Sequence, residues 1–402
     1  MGEKIALGFH TCVDFEMTWD AQVVEQMIRE FGVRDAEITS GDNPIDSERS
    51  LLIACLWHMK QGMGGELVPD TNQICLDFAK RFDYRVTIGG TATRAAIAIS
   101  KIGYESTIQL CCFNKYMKEL LPKEIHYMVG VKQAREEIYP HVILSYPGGV
   151  CICANDIDFT TPRENRVMFS RDIDSLNIEI SADYAPMIQD AEVFLLSCFS
   201  EILMEDVLKD RMRRTRSLLQ TLPEKTIVVM EDGCYIRKDF RIYVHQALRE
   251  VVDVLSMNED ELQEYIQRRI NILDVDEVLG AVKEVYEKIR IPTLLVHSSA
   301  WALTYGKDAR KYKHALEGGI TMAATRFRCG DDFGRNEYKE TGRMADIREG
   351  VLFSRRIEEK AGDDICSLPC KDLSFVKSPT VVGLGDFFAG GLLPRLTLDQ
   401  RL

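Results

Sequence analysis

Val193-Phe-Leu-Leu-Ser197 and Lys225-Thr-Ile-Val-Val-Met230 enclose an amphipathic run, Ile202–Leu219. Short apolar runs without polar alternation read as strands buried on both faces. The pattern then repeats: Phe240–Arg249 is expected to be helical, Val251–Leu255 a strand, Asp260–Ile270 and Val275–Lys288 helices, and Thr293-Leu-Leu-Val-His297 a strand. Strand and helix in this alternation predict an α/β fold, a mostly parallel sheet covered by helices.

Moving outward from this core, Lys4–Phe9 reads as the first core strand and Ala92–Lys101 as a core helix behind a Gly-Gly turn. Tyr84–Ile88, Val142–Tyr146, Val150–Ala154 and Arg166–Phe169 are short runs, broken by Pro147-Gly148-Gly149 and by the polar stretch Asn155–Asn165. Short strands with turn signals inside a parallel fold predict a smaller β-rich lid built from insertions. We place these insertions at about residues 12–20, 36–90 and 141–182, within one large α/β core spanning 1–402. Asp331–Lys360, charged and punctuated by glycine, is expected to form a surface loop and helix.

Composition narrows the class. The chain has 402 residues, 46% hydrophobic and 28% charged, with 50 Lys and Arg against 63 Asp and Glu for a net charge of −13. These proportions exclude a disordered chain, a collagen-like repeat and a disulfide miniprotein. The acidic balance argues against nucleic acid as a partner, because phosphate backbones are bound through clustered Lys and Arg. The longest apolar runs, Val193–Phe199 and Thr226–Met230, are strand-sized, so no membrane span is expected. The N-terminus shows no basic region, apolar segment and cleavage site, and a cytoplasmic protein is expected. The twelve cysteines lie largely in apolar stretches, as at Cys55, Cys75 and Cys198, and are read as buried free thiols. Cys111/Cys112, Cys151/Cys153 and Cys366/Cys370 lack a second CxxC or a nearby His pair, which argues against zinc. The seven His show no metal-ligand spacing, and His297, at a strand end, reads as structural.

The strongest chemical signal is Thr380-Val-Val-Gly-Leu-Gly-Asp-Phe-Phe-Ala-Gly-Gly-Leu-Leu393. Gly383 and Gly385 permit a tight turn, and the apolar run after them reads as the start of a helix. The free N–H groups of such a helix start cradle an anion. Asp386 stands at the mouth of that cradle, placed to take a proton from an attacking hydroxyl. The competing reading is a plain Asp cap after a glycine turn. The motif is neither a Walker A loop nor a GxGxxG fingerprint.

This GxGD segment resembles the catalytic motif of the ribokinase superfamily. Ile88-Gly89-Gly90-Thr91-Ala92-Thr93, followed by Lys101-Ile102-Gly103, resembles its sugar-binding turn, and Gly8-Phe-His-Thr-Cys-Val-Asp14 its early Gly…Asp element. Further stretches resemble the ADP-dependent phosphofructokinase/glucokinase family in order along the chain. They are Asn165-Arg-Val-Met-Phe169, Asp190–Cys198, Val229-Met-Glu231, Ser256-Met-Asn-Glu-Asp-Glu-Leu262, His297-Ser-Ser-Ala-Trp301 and Ala324-Thr-Arg-Phe-Arg328. The resemblance implies a ribokinase-like layered core and transfer of a phosphoryl group from ADP to a sugar or sugar-phosphate hydroxyl, giving AMP, as in glycolysis. Asp386 would be the general base, Gly383 and Gly385 the phosphate turn, and Asp14, Gly89, Gly90 and Arg166 substrate contacts. Glu231, Asn258 and Glu261 would hold Mg²⁺, which keeps a water shell and needs few direct carboxylates. Asn258 and Glu261 also fit a helix N-terminus. Arg171, Arg326 and Arg328 are further cations suited to phosphate oxygens.

Three residues depart from the family pattern: Thr91 replaces an amide side chain, Val229 replaces the His of a His-x-Glu pair, and Phe387 follows the base where a small residue is common. The expected partners are a sugar or sugar phosphate and a nucleotide, on a monomer or homodimer. The alternatives are an ATP-dependent ribokinase-type kinase and a non-catalytic relative that binds the same ligands. A Rossmann-type oxidoreductase would want more than the single glycine of Gly8–Asp14.

Overall fold

In the computed structural model, residues 4–130, 137–197, 199–377 and 379–397 are described. Cys198, read above as a buried thiol, lies outside them. Nine strands form the large sheet, in the order Ile365–Pro369, Trp301–Gly306, Thr293–His297, Val254–Asn258, Ile227–Glu231, Val193–Leu196, Ile5–Phe9, Ser106–Leu110 and Ile125–Val129. From Thr293–His297 onward every pairing is parallel, and the first two strands of the order add antiparallel. Val193–Leu196 and Ile5–Phe9 are buried along their whole length, as their unbroken apolar sequence requires.

Helices cover both faces. Val275–Ile289 shows the local logic: Asp274 accepts from the N–H groups of Asp276 and Glu277 to start it. Val278, Ala281, Val282, Val285 and Ile289 recur every three or four positions and are buried. Arg290, with a φ of 60°, ends it.

Two expectations are corrected. The strand expected at Val251–Leu255 runs Val254–Asn258. Val251 belongs to the turn that closes the preceding helix, its N–H donating to the Leu248 carbonyl. The shift puts Asn258 at the strand's tip. Asp331–Lys360 is more than a surface loop and helix, since it holds the helices Arg335–Gly342 and Arg348–Ala361. The second buries Phe353 and Ile357, with Phe353 stacked 4.8 Å from the Trp301 ring.

A five-stranded second sheet runs Gly65–Leu67, Asn165–Phe169, Pro140–Tyr146, Cys12–Met17, Tyr84–Gly89, and the hairpin Cys151–Ala154/Ile157–Thr160 stands beside it. Its core also takes in Val24, Met27 and Ile28, which lie between the expected insertions. Ile178 and Ile180, inside the third one, pack instead with the large sheet. Among the described residues no helix is long and apolar enough to cross a membrane. The described cysteines are free thiols, and Cys151, Cys153 and Cys234 are exposed rather than buried.

Candidate active site

The carboxyl ends of parallel strands form the crevice in which ligands of open α/β sheets are bound. Glu231, Asn258 and His297 end three adjacent strands of the large sheet, with Asn258 in register with His297. His297 Nε2 lies 3.2 Å from Glu231 Oε1. Val229, where the family pattern carries His, is buried within the sheet. The imidazole beside Glu231 therefore comes from another strand. The other carboxylate oxygen, Oε2, is buried without a hydrogen-bond partner.

Asn258 and Glu261 form a reciprocal cap: Asn258 Oδ1 accepts from the Glu261 N–H at 2.9 Å, and Glu261 Oε2 accepts from the Asn258 N–H at 2.8 Å. The helix-start reading is thus realised. Burial, with Asp232 and Glu231 close by, pushes the Glu261 carboxyl well above the usual carboxylate range. An orphaned carboxylate oxygen beside crowded acids is a donor set short of a cation, and an oxygen-seeking ion such as Mg²⁺ fits it.

The GxGD segment opens the helix Leu384–Leu392, with Gly383 as its left-handed start at a φ of 74°. A Cβ on Gly383 would strike the Arg94 guanidinium, whereas one on Gly385 would meet only His297 Cε1, at 3.6 Å. Gly385 thus borders open space, and through His297 it adjoins Glu231. Asp386, in the first turn, stays partly exposed, with its Oδ2 3.8 Å from Arg94 Nε.

Arg94 was not singled out by the sequence reading, and it joins this turn to the second sheet. It stands on the helix Thr91–Lys101, 4% exposed among buried alanines. Its Nη2 donates to Asp14 Oδ2 at 2.5 Å and lies 3.4 Å from Glu16 Oε1. Burial opposes its charge, but Asp14, Asp386 and Glu16 more than offset this and raise its pKa. The available signal was a lone arginine on an alanine face, since a charge is rarely buried unless paired.

Gly89 and Gly90 admit the protein's own groups. A Cβ at Gly89 would overlap the Asp14 carboxylate, and one at Gly90, whose φ is 86°, would overlap the His10 carbonyl. Asp14, Gly89, Gly90, Gly383 and Asp386 are therefore gathered around Arg94. Gly385, Glu231, Asn258 and Glu261 gather beside His297. Arg166 stands apart, exposed on the small sheet. There it opposes the upward push that desolvation and Glu201 exert on the Glu66 carboxyl. Arg326 is buried, paired with Asp331 and 4.7 Å beneath the Phe387 ring, so it supports the helix start from behind.

A family model described as the ADP-specific phosphofructokinase/glucokinase conserved region matches residues 3–360, ending before the GxGD segment. No curated protein matches the chain. Among solved structures, a phosphofructokinase from Pyrococcus horikoshii OT3 with AMP superposes with a TM-score of 0.76 at 18% identity, covering 98% of each chain. An ADP-dependent kinase in complex with fructose-6-phosphate and ADPβS gives 0.75 at 15% identity, over 98% of this chain and 94% of the other. The last common ancestor of ADP-dependent phosphofructokinases from Methanosarcinales gives 0.72 at 15%, over 98% and 93%. At such identities the superpositions show the fold, and the family model shows the lineage: the chain belongs to the ADP-specific phosphofructokinase/glucokinase family.

Proposed function

We propose that this protein is an Mg²⁺-dependent kinase that moves a phosphoryl group from ADP to a sugar or sugar-phosphate hydroxyl and releases AMP. The observation that carries this reading is the partly exposed Asp386 in a helix's first turn, beside the open Gly385 and tied through Arg94 to Asp14. Two proteins of the same fold support the ligand classes, one bound to AMP and the other to fructose-6-phosphate and ADPβS.

In this reading Asp14 holds a substrate hydroxyl and orients the acceptor, while Asp386 Oδ takes its proton as the bond to phosphorus forms. The free N–H groups around Gly385 face the transferring phosphoryl and stabilise its equatorial oxygens. Glu231 and Glu261 would hold magnesium, with Asn258 keeping Glu261 in place, and the ion neutralises phosphate charge when bound. Arg94 pairs with Asp14 and lies beside Asp386, so one guanidinium holds the two carboxylates in place. The small sheet closes over the cleft as a lid, with Arg166 on it, and excludes water.

The test is a screen of glucose and fructose 6-phosphate against ADP and ATP with Mg²⁺, with AMP detected separately. AMP formed from ADP in step with phosphorylated sugar is the expected result. Transfer only from ATP, or binding of both ligands without product, would overturn it.

A further inference from the structure

We infer that His10, Cys12, His141 and Glu201 form a second cation site, of the zinc type, at the joint between the two sheets. The ligand atoms of His10, Cys12 and His141 all lie within 4.8 Å of one another. Glu201 Oε1 is 3.2 Å from His10 Nε2 and 3.8 Å from His141 Nε2. Cys12 and His141 are each 2% exposed. The Nε2 atoms of His10 and His141 are both buried without a well-aligned hydrogen-bond partner.

A buried ring nitrogen whose nearest acceptors are poorly aligned has lost the hydrogen bonds it makes in water, which costs free energy. Here two such nitrogens face the Glu201 carboxylate, and each of the two imidazoles also brings a ring nitrogen within 4.8 Å of the Cys12 thiol. Two imidazoles, a thiolate and a carboxylate are the tetrahedral donor set of Zn²⁺ and are poor ligands for Mg²⁺, which prefers oxygen. Two further carboxylates border the cluster: Asp14 Oδ1 accepts from Cys12 Sγ at 3.3 Å, a bond given up when the thiol loses its proton, and Asp172, which accepts from Ser175 Oγ at 2.9 Å, lies 3.4 Å from His141 Nε2. Binding would displace the thiol proton to solvent and leave the thiolate on the metal.

The position gives the site a consequence. His10 directly follows the strand Ile5–Phe9 of the large sheet, and Glu201 follows Val193–Leu196 of the same sheet. Cys12 opens one strand of the small sheet, and His141 lies on its neighbour, paired in register with Asp14. A bound ion would staple the two sheets together at the base of the cleft, one residue pair away from the acceptor-binding carboxylate. This inference concerns a site separate from the Glu231–Glu261 cluster, and its test needs no kinase activity.

The full chain, reduced and stripped with a chelator, would be titrated with Co²⁺ and then Zn²⁺. One equivalent of Co²⁺ is expected to give a thiolate-to-cobalt charge-transfer band and intense tetrahedral visible bands, both removed by one equivalent of Zn²⁺. Cys12→Ser should abolish the charge-transfer band. His10→Ala, at the less buried ligand, should weaken Zn²⁺ binding at least about tenfold, the low end of what even an outer-sphere change costs. Circular dichroism of both variants confirms that they are folded. Absence of the band in the native chain, its persistence in Cys12→Ser, or unchanged Zn²⁺ affinity in His10→Ala would overturn the assignment.

Discussion

Two glycine turns, Gly89–Gly90 and Gly383–Gly385, each lead into a helix at the same cleft, yet they are glycine for different reasons. At Gly89 and Gly90 the missing Cβ atoms make room for Asp14 and for the His10 carbonyl. At Gly383 the room is taken by Arg94, but at Gly385 it stays open toward His297. One turn is filled by the protein and holds the site together. The other is filled only in part and leaves space for a ligand. A glycine motif in a sequence does not say which of these applies.

Substitutions can break this contrast, and the largest effect is expected at the open turn. Asp386→Asn keeps the shape of the side chain but removes the base, so turnover should fall about 10²- to 10⁴-fold. The thermal melt should be unchanged, and near-normal turnover would remove Asp386 from the mechanism. Arg94→Met is expected to cost about 3–5 kcal/mol of stability, because it leaves the Asp14 carboxylate buried without its partner. Urea unfolding reads that loss directly, and an unchanged midpoint would show that Asp14 finds another partner.

Gly89→Ala should destabilise by about 1–3 kcal/mol through overlap with Asp14, and it should raise the KM for the sugar. Gly385→Ala is the matching control at the other turn. Its helical position and free surroundings should make it neutral or stabilising by up to about 1 kcal/mol. It should nevertheless weaken nucleotide binding, measured by calorimetry with ADP. If Gly385→Ala instead lowered the melting temperature as Gly89→Ala does, the open turn would have to be reread as a packing site.

The sequence carried the layered fold well where burial is uniform. Thr293–His297 was bounded to the residue, because an apolar run between a helix end and a polar turn leaves little choice. It carried less where one apolar run serves two elements. Val251 and Val252 read as strand, but the chain is still leaving a helix there, so the strand starts three residues later than the pattern suggests. Trp301–Gly306 and Ile365–Pro369, which extend the sheet antiparallel, were not recognised, since they break the strand–helix alternation that identified the others.

Within the site, glycines and acids at strand ends were legible because their local geometry is unusual. Asn258 and Glu261 were read both as a metal pair and as a cap, and the cap is what their hydrogen bonds make. Arg94 and the grouping of His10, Cys12 and His141 escaped, because each depends on which distant elements meet, and periodicity records burial rather than partner.

The shared guanidinium has a thermodynamic consequence. Arg94 contacts Asp14 on one side and Asp386 on the other, at 2.5 and 3.8 Å. A ligand that draws either carboxylate toward itself changes the share of positive charge left for the other. In the proposed reading, binding at the acceptor side and at the donor side would be linked through one side chain, and linkage is reciprocal: whatever factor the sugar imposes on nucleotide affinity, the nucleotide imposes on the sugar. The molecule would register the simultaneous presence of both substrates through a single buried charge.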